Sequence, residues 1–132
     1  MNNECIFCKI IRGEIPCYKI YEDEKCLAFL DISADCLGHT LVVSKTHTNN
    51  FVETGSDILN TLFCTTQKIA KHYITNCGFD GVQIVINNGE SSGQSVMHTH
   101  FHILPSVKKE NKKFENYKKD DLQAVCNLLR LN

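Results

Sequence analysis

The sequence predicts an α+β fold, and three observations predict it. His98, His100 and His102, three of the six histidines, alternate with Thr99, Phe101 and Ile103. That period of two selects a strand, where side chains two apart share a face at about 6.6 Å, whereas a helix would scatter them at about 100° per residue. Residues 18–21, 25–32 and 39–44 are rich in β-branched, aromatic and other apolar residues and suit three consecutive antiparallel strands, a meander. Finally, Ile58, Leu59, Leu62, Phe63, Ile69, Ala70, Tyr73 and Ile74 recur with a period near 3.6, which predicts one long amphipathic helix.

In chain order, Ile6, Phe7, Ile10 and Ile11 have helical spacing and Gly13 supplies a stop, so residues 5–12 read as a short N-terminal helix. Glu22-Asp23-Glu24 suits a hairpin turn between the first two strands, and Gly38 opens the third at 39–44. Ser56 is the expected N-cap of the long helix, Asp57 sits in its first turn and Gly78 ends it. His72 falls beside Lys71 on the polar face and reads as solvated. A fourth strand is expected at Val82–Ile86, a Gly/Ser/Asn loop at Asn87–Ser95, and then the histidine strand, with Pro105 at its end. Six lysines crowd the stretch from Lys108 to Lys119, which reads as a solvated linker to a terminal helix carrying Leu122, Val125, Cys126 and Leu129. The expected organisation is one domain over residues 1–106, with 107–132 as a linker and helix packed on that domain or on its dimer.

A chain of 132 residues can bury its own core. A formal net charge of -1 and 42% hydrophobic residues demand neither nucleic acid nor a membrane surface as partner, which leaves a small metabolite. The start has no basic, apolar leader and no apolar run reaches membrane-span length, so a cytoplasmic or nuclear location is expected. Most of the eight cysteines lie in apolar, element-like stretches and read as reduced core residues.

Three strand-mounted imidazoles suit two chemistries. They could hold a catalytic metal that activates water, or one neutral imidazole could attack an electrophile while a neighbour serves the leaving group. The upstream loop Asn87-Asn88-Gly89-Glu90-Ser91-Ser92-Gly93-Gln94-Ser95 favours the second, because its glycines and hydroxyls can turn backbone N–H groups towards a phosphate. Separately, Cys5 and Cys8 have the gap that lets two thiolates on one turn share a metal, and His47 stands just past the third strand.

His98-Thr99-His100-Phe101-His102-Ile103-Leu104 closely resembles the pattern of the histidine triad (HIT) family. Asn87 and Gly93-Gln94-Ser95 stand where its Hint-like branch carries phosphate-binding residues. Residues 5–16, 27–33 and 38–43 resemble the same branch in order and spacing, so the likeness covers about residues 4–106 and leaves the lysine-rich tail unmatched. Thr99 departs from the pattern, which usually has a larger apolar residue there; Leu30 and Met97 are smaller departures.

The resemblance implies a HIT-like α+β fold: a five-stranded antiparallel sheet with one long helix and short terminal helices, paired into a homodimer with a ten-stranded sheet. It implies a purine nucleotide site with the base among Ile6, Phe7, Ile10, Phe29 and Ile32 and the ribose on Asp31. His100 would attack the α-phosphorus, while His102, Asn87, Gln94 and Ser95 hold the phosphate and leaving group, with Gly93 in the same loop and His39 close behind. Protonation below about pH 6 should slow the reaction. A structural zinc would be held by Cys5, Cys8, His47 and His98. The expected activity is hydrolysis of purine nucleoside 5'-phosphoramidates. The alternatives are dinucleoside polyphosphate hydrolysis, a nucleotide-binding regulatory module with incidental activity, and a zinc hydrolase with three histidine ligands.

Overall fold

The computed structural model describes residues 4–132. In chain order it contains α1 (Ile6–Ile11), β1 (Lys19–Glu22), β2 (Cys26–Leu30), β3 (Thr40–Ser44), α2 (Ser56–His72), β4 (Gly81–Val85), β5 (His100–Ser106) and α3 (Leu122–Leu129). The five strands form one antiparallel sheet in the order β1-β2-β3-β5-β4. The meander β1–β2–β3 is thus extended by β5, and β4 takes the far edge.

β2 and β3 are buried along their whole length because both sheet faces are covered. Ala28, Leu30, Val42, Phe101 and Ile103 face a core built with α2 and α3, including Leu62, Ile69, Tyr73, Val125 and Leu129. The alternate residues Leu27, Phe29, Leu41 and Val43 face α1 through Cys5, Phe7 and Cys8. The strand period of two therefore sends Phe101 and Ile103 into the larger core and leaves His100 and His102 on the α1 face. No disulfide forms among the eight cysteines, five of which are buried. No helix among the described residues is long and apolar enough to cross a membrane.

Several local expectations are corrected. Gly55, not Ser56, is the N-cap of α2, and no side chain caps that end. The histidine strand begins at His100 rather than Met97: Val43↔His100 is the last β3–β5 pair at that end, and residues 97–99 bend where β3 runs out. Pro105 lies inside β5, not at its end, because the β3 ladder stops at Thr40↔Ile103 while β4 pairing continues to Ser106. His72 is half-buried, not solvated: its Nε2 donates to Leu129 O at 2.9 Å and ties α3 to the end of α2.

The lysine-rich stretch is more than a solvated linker. Its lysine side chains are exposed apart from their contacts, but Phe114 is 7% exposed and stacks on Phe79 at 4.4 Å, in the same core as Tyr73 and Leu129. Asn111 Nδ2 donates to Gly78 O and to Asp80 Oδ2. Polar composition hid one aromatic anchor, which suffices to fix the path of the chain to α3. Truncation of that anchor, Phe114→Ala, is expected to lower unfolding free energy by about 3 kcal/mol in denaturant titrations, whereas a truly solvated segment would lose less than about 0.5 kcal/mol.

Candidate active site and metal centre

Cys5 is the N-cap of α1 and Cys8 lies one turn on, so the short helix points both thiols to one side. There they meet His47, from the segment after β3, and His98, from the bend before β5. Cys5 Sγ stands 3.4 Å from His98 Nδ1, Cys8 Sγ stands 3.3 Å from His47 Nδ1 and 3.6 Å from His98 Nδ1, and the two Nδ1 atoms are 3.1 Å apart. Donors of a tetrahedral zinc are separated by about 3.3–3.8 Å, so the four atoms have nearly the edges of that coordination shell. Their protonation agrees. His98 Nε2 donates to Ser44 O at 2.7 Å and His47 Nε2 to Asn49 Oδ1 at 3.0 Å, which leaves both Nδ1 lone pairs bare and converging. Two such lone pairs 3.1 Å apart need something positive between or beside them, which the thiols supply as S–H donors or, once deprotonated, a shared cation supplies in their place. Burial also pushes His98 down to about 4, so it is unprotonated at neutral pH. The residues fit a zinc ion.

The other two triad histidines are committed differently. His100 Nδ1 lies 2.7 Å from His98 O, and a carbonyl only accepts, so Nδ1 carries the proton and Nε2 keeps a lone pair. For His102 the assignment begins one residue further back. Asp35 N–H donates to His39 Nδ1 at 3.2 Å, which puts the His39 proton on Nε2; that Nε2 lies 2.9 Å from His102 Nδ1 and donates to it. His102 must then carry its own proton on Nε2. His100 and His102 are neighbours on one face, with ring centroids 5.0 Å apart, and they hold opposite tautomers. Burial, then the neighbours His100 and His39, push His102 down to about 4, and burial lowers His100 as well.

The three triad histidines form no common ligand group among the described residues, and His98, His100 and His102 each turn Nδ1 to a different partner. Asp31, His39 and His102 do lie close enough to suggest a second metal group. The proton on His39 Nε2, however, is committed to His102 Nδ1, and Asp31 Oδ2 stands 3.6 Å from the same nitrogen, beyond hydrogen-bond reach.

A cavity of about 230 Å³ opens beside the two histidines. Among the expected residues, Ile6, Phe7, Ile10, Phe29, Asp31, Ile32, Ser95, His100 and His102 all line it. Phe7 packs at a steep angle against His100 at 5.0 Å and against Phe29 at 5.5 Å, so the helix that carries both thiols also supplies the apolar wall. Ile32, 79% exposed, stands at the mouth. Asp31 Oδ1 accepts from Ser33 N–H and Oγ–H at 2.9 and 2.7 Å, which fixes the carboxylate at the rim.

Asn87, Gly93 and Gln94 do not line the cavity. Gln94 is 2% exposed, and its amide bonds Asn49 O, Val96 O and Gly89 N–H, so it shapes the loop from within rather than offering a group to a ligand. Asn87 Nδ2 donates to Ser92 O across the same loop, and Gly93 adopts φ 101°, which favours glycine. His39 is likewise buried behind His102 rather than in the wall. Conversely, Ile15, Pro16, Cys17, Leu41 and Val96 line the cavity without having been expected. Ile15-Pro16-Cys17 follows a helix stop and has no periodicity, so only its placement beneath α1 reveals it. Among the described residues, no lysine or arginine borders the cavity.

Known proteins are similar to this chain in sequence and fold. The HIT domain model matches residues 12–109. An uncharacterised HIT-like protein of Methanocaldococcus jannaschii is 47% identical over 92% of this chain and 95% of its own. Adenylylsulfatase HINT3 of Arabidopsis thaliana is 37% identical over 83% of this chain, which spans 56% of that protein. The crystal structure of a zinc-bound histidine triad family protein from Mycobacterium smegmatis superposes with a TM-score of 0.83 at 36% identity, covering 96% of this chain and 90% of that one. With its three alternating histidines at the entry to β5, its five-stranded antiparallel sheet and these relatives, the chain belongs to the HIT domain family.

Proposed function

We propose that the protein hydrolyses purine nucleoside 5'-phosphoramidates, or closely related conjugates of purine nucleoside monophosphates, through a nucleotidyl-histidine intermediate. The observation that carries this reading is the pair of opposite tautomers at one cavity: an unprotonated Nε2 on His100 beside a protonated Nε2 on His102. The base enters among Ile6, Phe7, Ile10 and Phe29, with Ile32 at the mouth, and the ribose hydroxyls bind Asp31. His100 Nε2 bonds to the α-phosphorus as the bond to the leaving group breaks, and the departing nitrogen leaves as an amine, protonated from solvent at the open end. His102 Nε2–H and Ser95 donate to the phosphoryl oxygens, with Asn87, Gly93 and Gln94 holding the loop that presents Ser95. Because His100 keeps its Nδ1 proton on His98 O, the adduct is a phosphorylated imidazolium, a good leaving group. Water attacks phosphorus, the phosphorus–nitrogen bond breaks, the water's proton goes to solvent, and the nucleoside monophosphate departs.

The lack of cations around the cavity favours a leaving group with little negative charge, which weighs against dinucleoside polyphosphates. Sulfate departs as a dianion and fits that limit less well than an amine, but the relative named adenylylsulfatase makes adenylyl sulfate a second candidate substrate. Zinc on Cys5, Cys8, His47 and His98 would be structural, since a closed four-ligand shell leaves no position for water. A homodimer with a ten-stranded sheet is also part of this reading: β4 is an edge strand, and Ile84 on it and Phe63 on α2 are exposed. The cytoplasm, or the nucleus, is the proposed location.

Rapid quench with a labelled phosphoramidate is expected to trap label on His100, and His100→Ala should lose the adduct and about a thousandfold or more in kcat; a wild-type protein that turns over without an adduct would overturn the mechanism. Metal analysis should find about one zinc per chain, lost in Cys5→Ala and in His47→Ala, and unchanged metal in both variants would remove the assignment. The pH response follows from His102. A group held below its ordinary 6.5 stays neutral as pH falls past that value, and its eventual proton must go to Nδ1, against the His39 donor. The ratio kcat/KM should therefore stay level from pH 7 to about 5.5 and fall only below that; an acid limb centred at 6.5 or above contradicts the buried pair.

A further inference from the structure

Thr99 stands between the metal-facing His98 and the cavity-facing His100, and it is 2% exposed. Its backbone N–H donates to Thr48 O at 2.8 Å. That N–H and the carbonyl of His98 belong to one planar trans peptide group, in which the N–H and C=O bonds point in opposite directions. Fixing Thr99 N–H on Thr48 therefore aims His98 C=O the other way, to His100 Nδ1 at 2.7 Å.

The side chain secures the same junction. The hydroxyls of Thr48, Thr54 and Thr99 form a triangle with sides of 2.8, 2.9 and 2.9 Å, and Thr54 Oγ also reaches Asn50 O at 2.6 Å. Each hydroxyl has one proton. If Thr54 donates to the Asn50 carbonyl, its closest partner, Thr99 donates to Thr54, with Thr48 O at 3.2 Å as its other acceptor, and Thr48 donates to Thr99. Every proton then has an acceptor, in a chain running Thr48, Thr99, Thr54, Asn50 O. Thr99 is its middle link, in a place where β3 has ended and no sheet ladder holds the backbone.

We infer that Thr99 is a positioning residue for His100: its hydroxyl, clasped by Thr48 and Thr54, holds the 98–99 peptide so that His98 C=O keeps the His100 proton on Nδ1 and the lone pair on Nε2. This inference rests on the reading of His100 as nucleophile for its kinetic consequence, but its structural content has a separate readout.

The test compares Thr99→Val, which keeps the shape and removes the hydroxyl, with Thr99→Ser, which keeps the hydroxyl. In single-turnover quench experiments with an adenosine phosphoramidate, Thr99→Val should form the His100 adduct about tenfold more slowly. Affinity for adenosine monophosphate and zinc content should stay within twofold of wild type, and Thr99→Ser should restore the rate. Thr54→Val, which removes the end of the chain without altering residue 99, should slow the step in the same direction. In nitrogen-15 spectra the Nδ1–H signal of His100 should persist in wild type and Thr99→Ser and be lost or broadened in Thr99→Val. Wild-type rates in both valine variants, an intact Nδ1–H signal in Thr99→Val, or a serine variant as slow as valine would each overturn the role. If wild type forms no adduct, the hydrolytic reading fails, and the Nδ1–H comparison still decides whether Thr99 sets the tautomer.

Discussion

A neutral imidazole has one proton and two nitrogens, so whatever holds the proton on one nitrogen decides what the other can do. In this protein backbone groups make that decision for the whole triad. Ser44 O takes the proton of His98 at Nε2 and frees Nδ1 for the thiolate side. His98 O takes the proton of His100 at Nδ1 and frees Nε2 for the cavity. Asp35 N–H occupies Nδ1 of His39, and through His39 it leaves His102 protonated at the nitrogen facing away from the pair. Three side chains of the same type thus differ in which nitrogen is bare: Nδ1 of His98 towards the thiols, Nε2 of His100 towards the cavity, and Nδ1 of His102 towards His39, without any charged residue being needed to tell them apart.

That scheme works only if the backbone groups are rigid, and the sheet supplies the rigidity. β3 and β5 are central strands with cores on both faces, so Ser44 at the end of β3 and His100 at the adjacent start of β5 are held by packing as well as by ladder bonds. The exception is the bend at 97–99, which lies beyond the ladder. There the threonine hydroxyls and Thr48 O replace strand pairing, and there the carbonyl that orients His100 is carried.

Much of this was legible in the sequence because it is periodic. The strand alternation put His100 and His102 on one face, the 3.6 period gave α2, and the two-residue gap between Cys5 and Cys8 set both thiols on one turn. What escaped is aperiodic or depends on distant partners. Phe114 lay in a stretch whose lysines dominate the composition, and only the position of Phe79 shows it to be an anchor. Gln94 was read from its place in a polar loop, yet its amide turns inward because Asn49 O, Val96 O and Gly89 N–H all need a partner there. His98 shares the spacing of its neighbours but not their strand, since the length of β3, a tertiary fact, decides where the ladder stops.

The short helix α1 joins the two halves of the site. Six residues are too few to form a stable helix alone, so its order must come from its contacts. Cys5 and Cys8 face the candidate metal centre, and the residues between and after them, Ile6, Phe7 and Ile10, form a wall of the cavity. The helix cannot shift its thiols without moving Phe7 against His100 and Phe29, because all lie on one turn. A closed metal shell here would act on the chemistry by fixing the apolar wall, and through His98 it would also fix the carbonyl that sets the His100 tautomer. An ion that touches no substrate would then bear on both how a base is held and which nitrogen attacks.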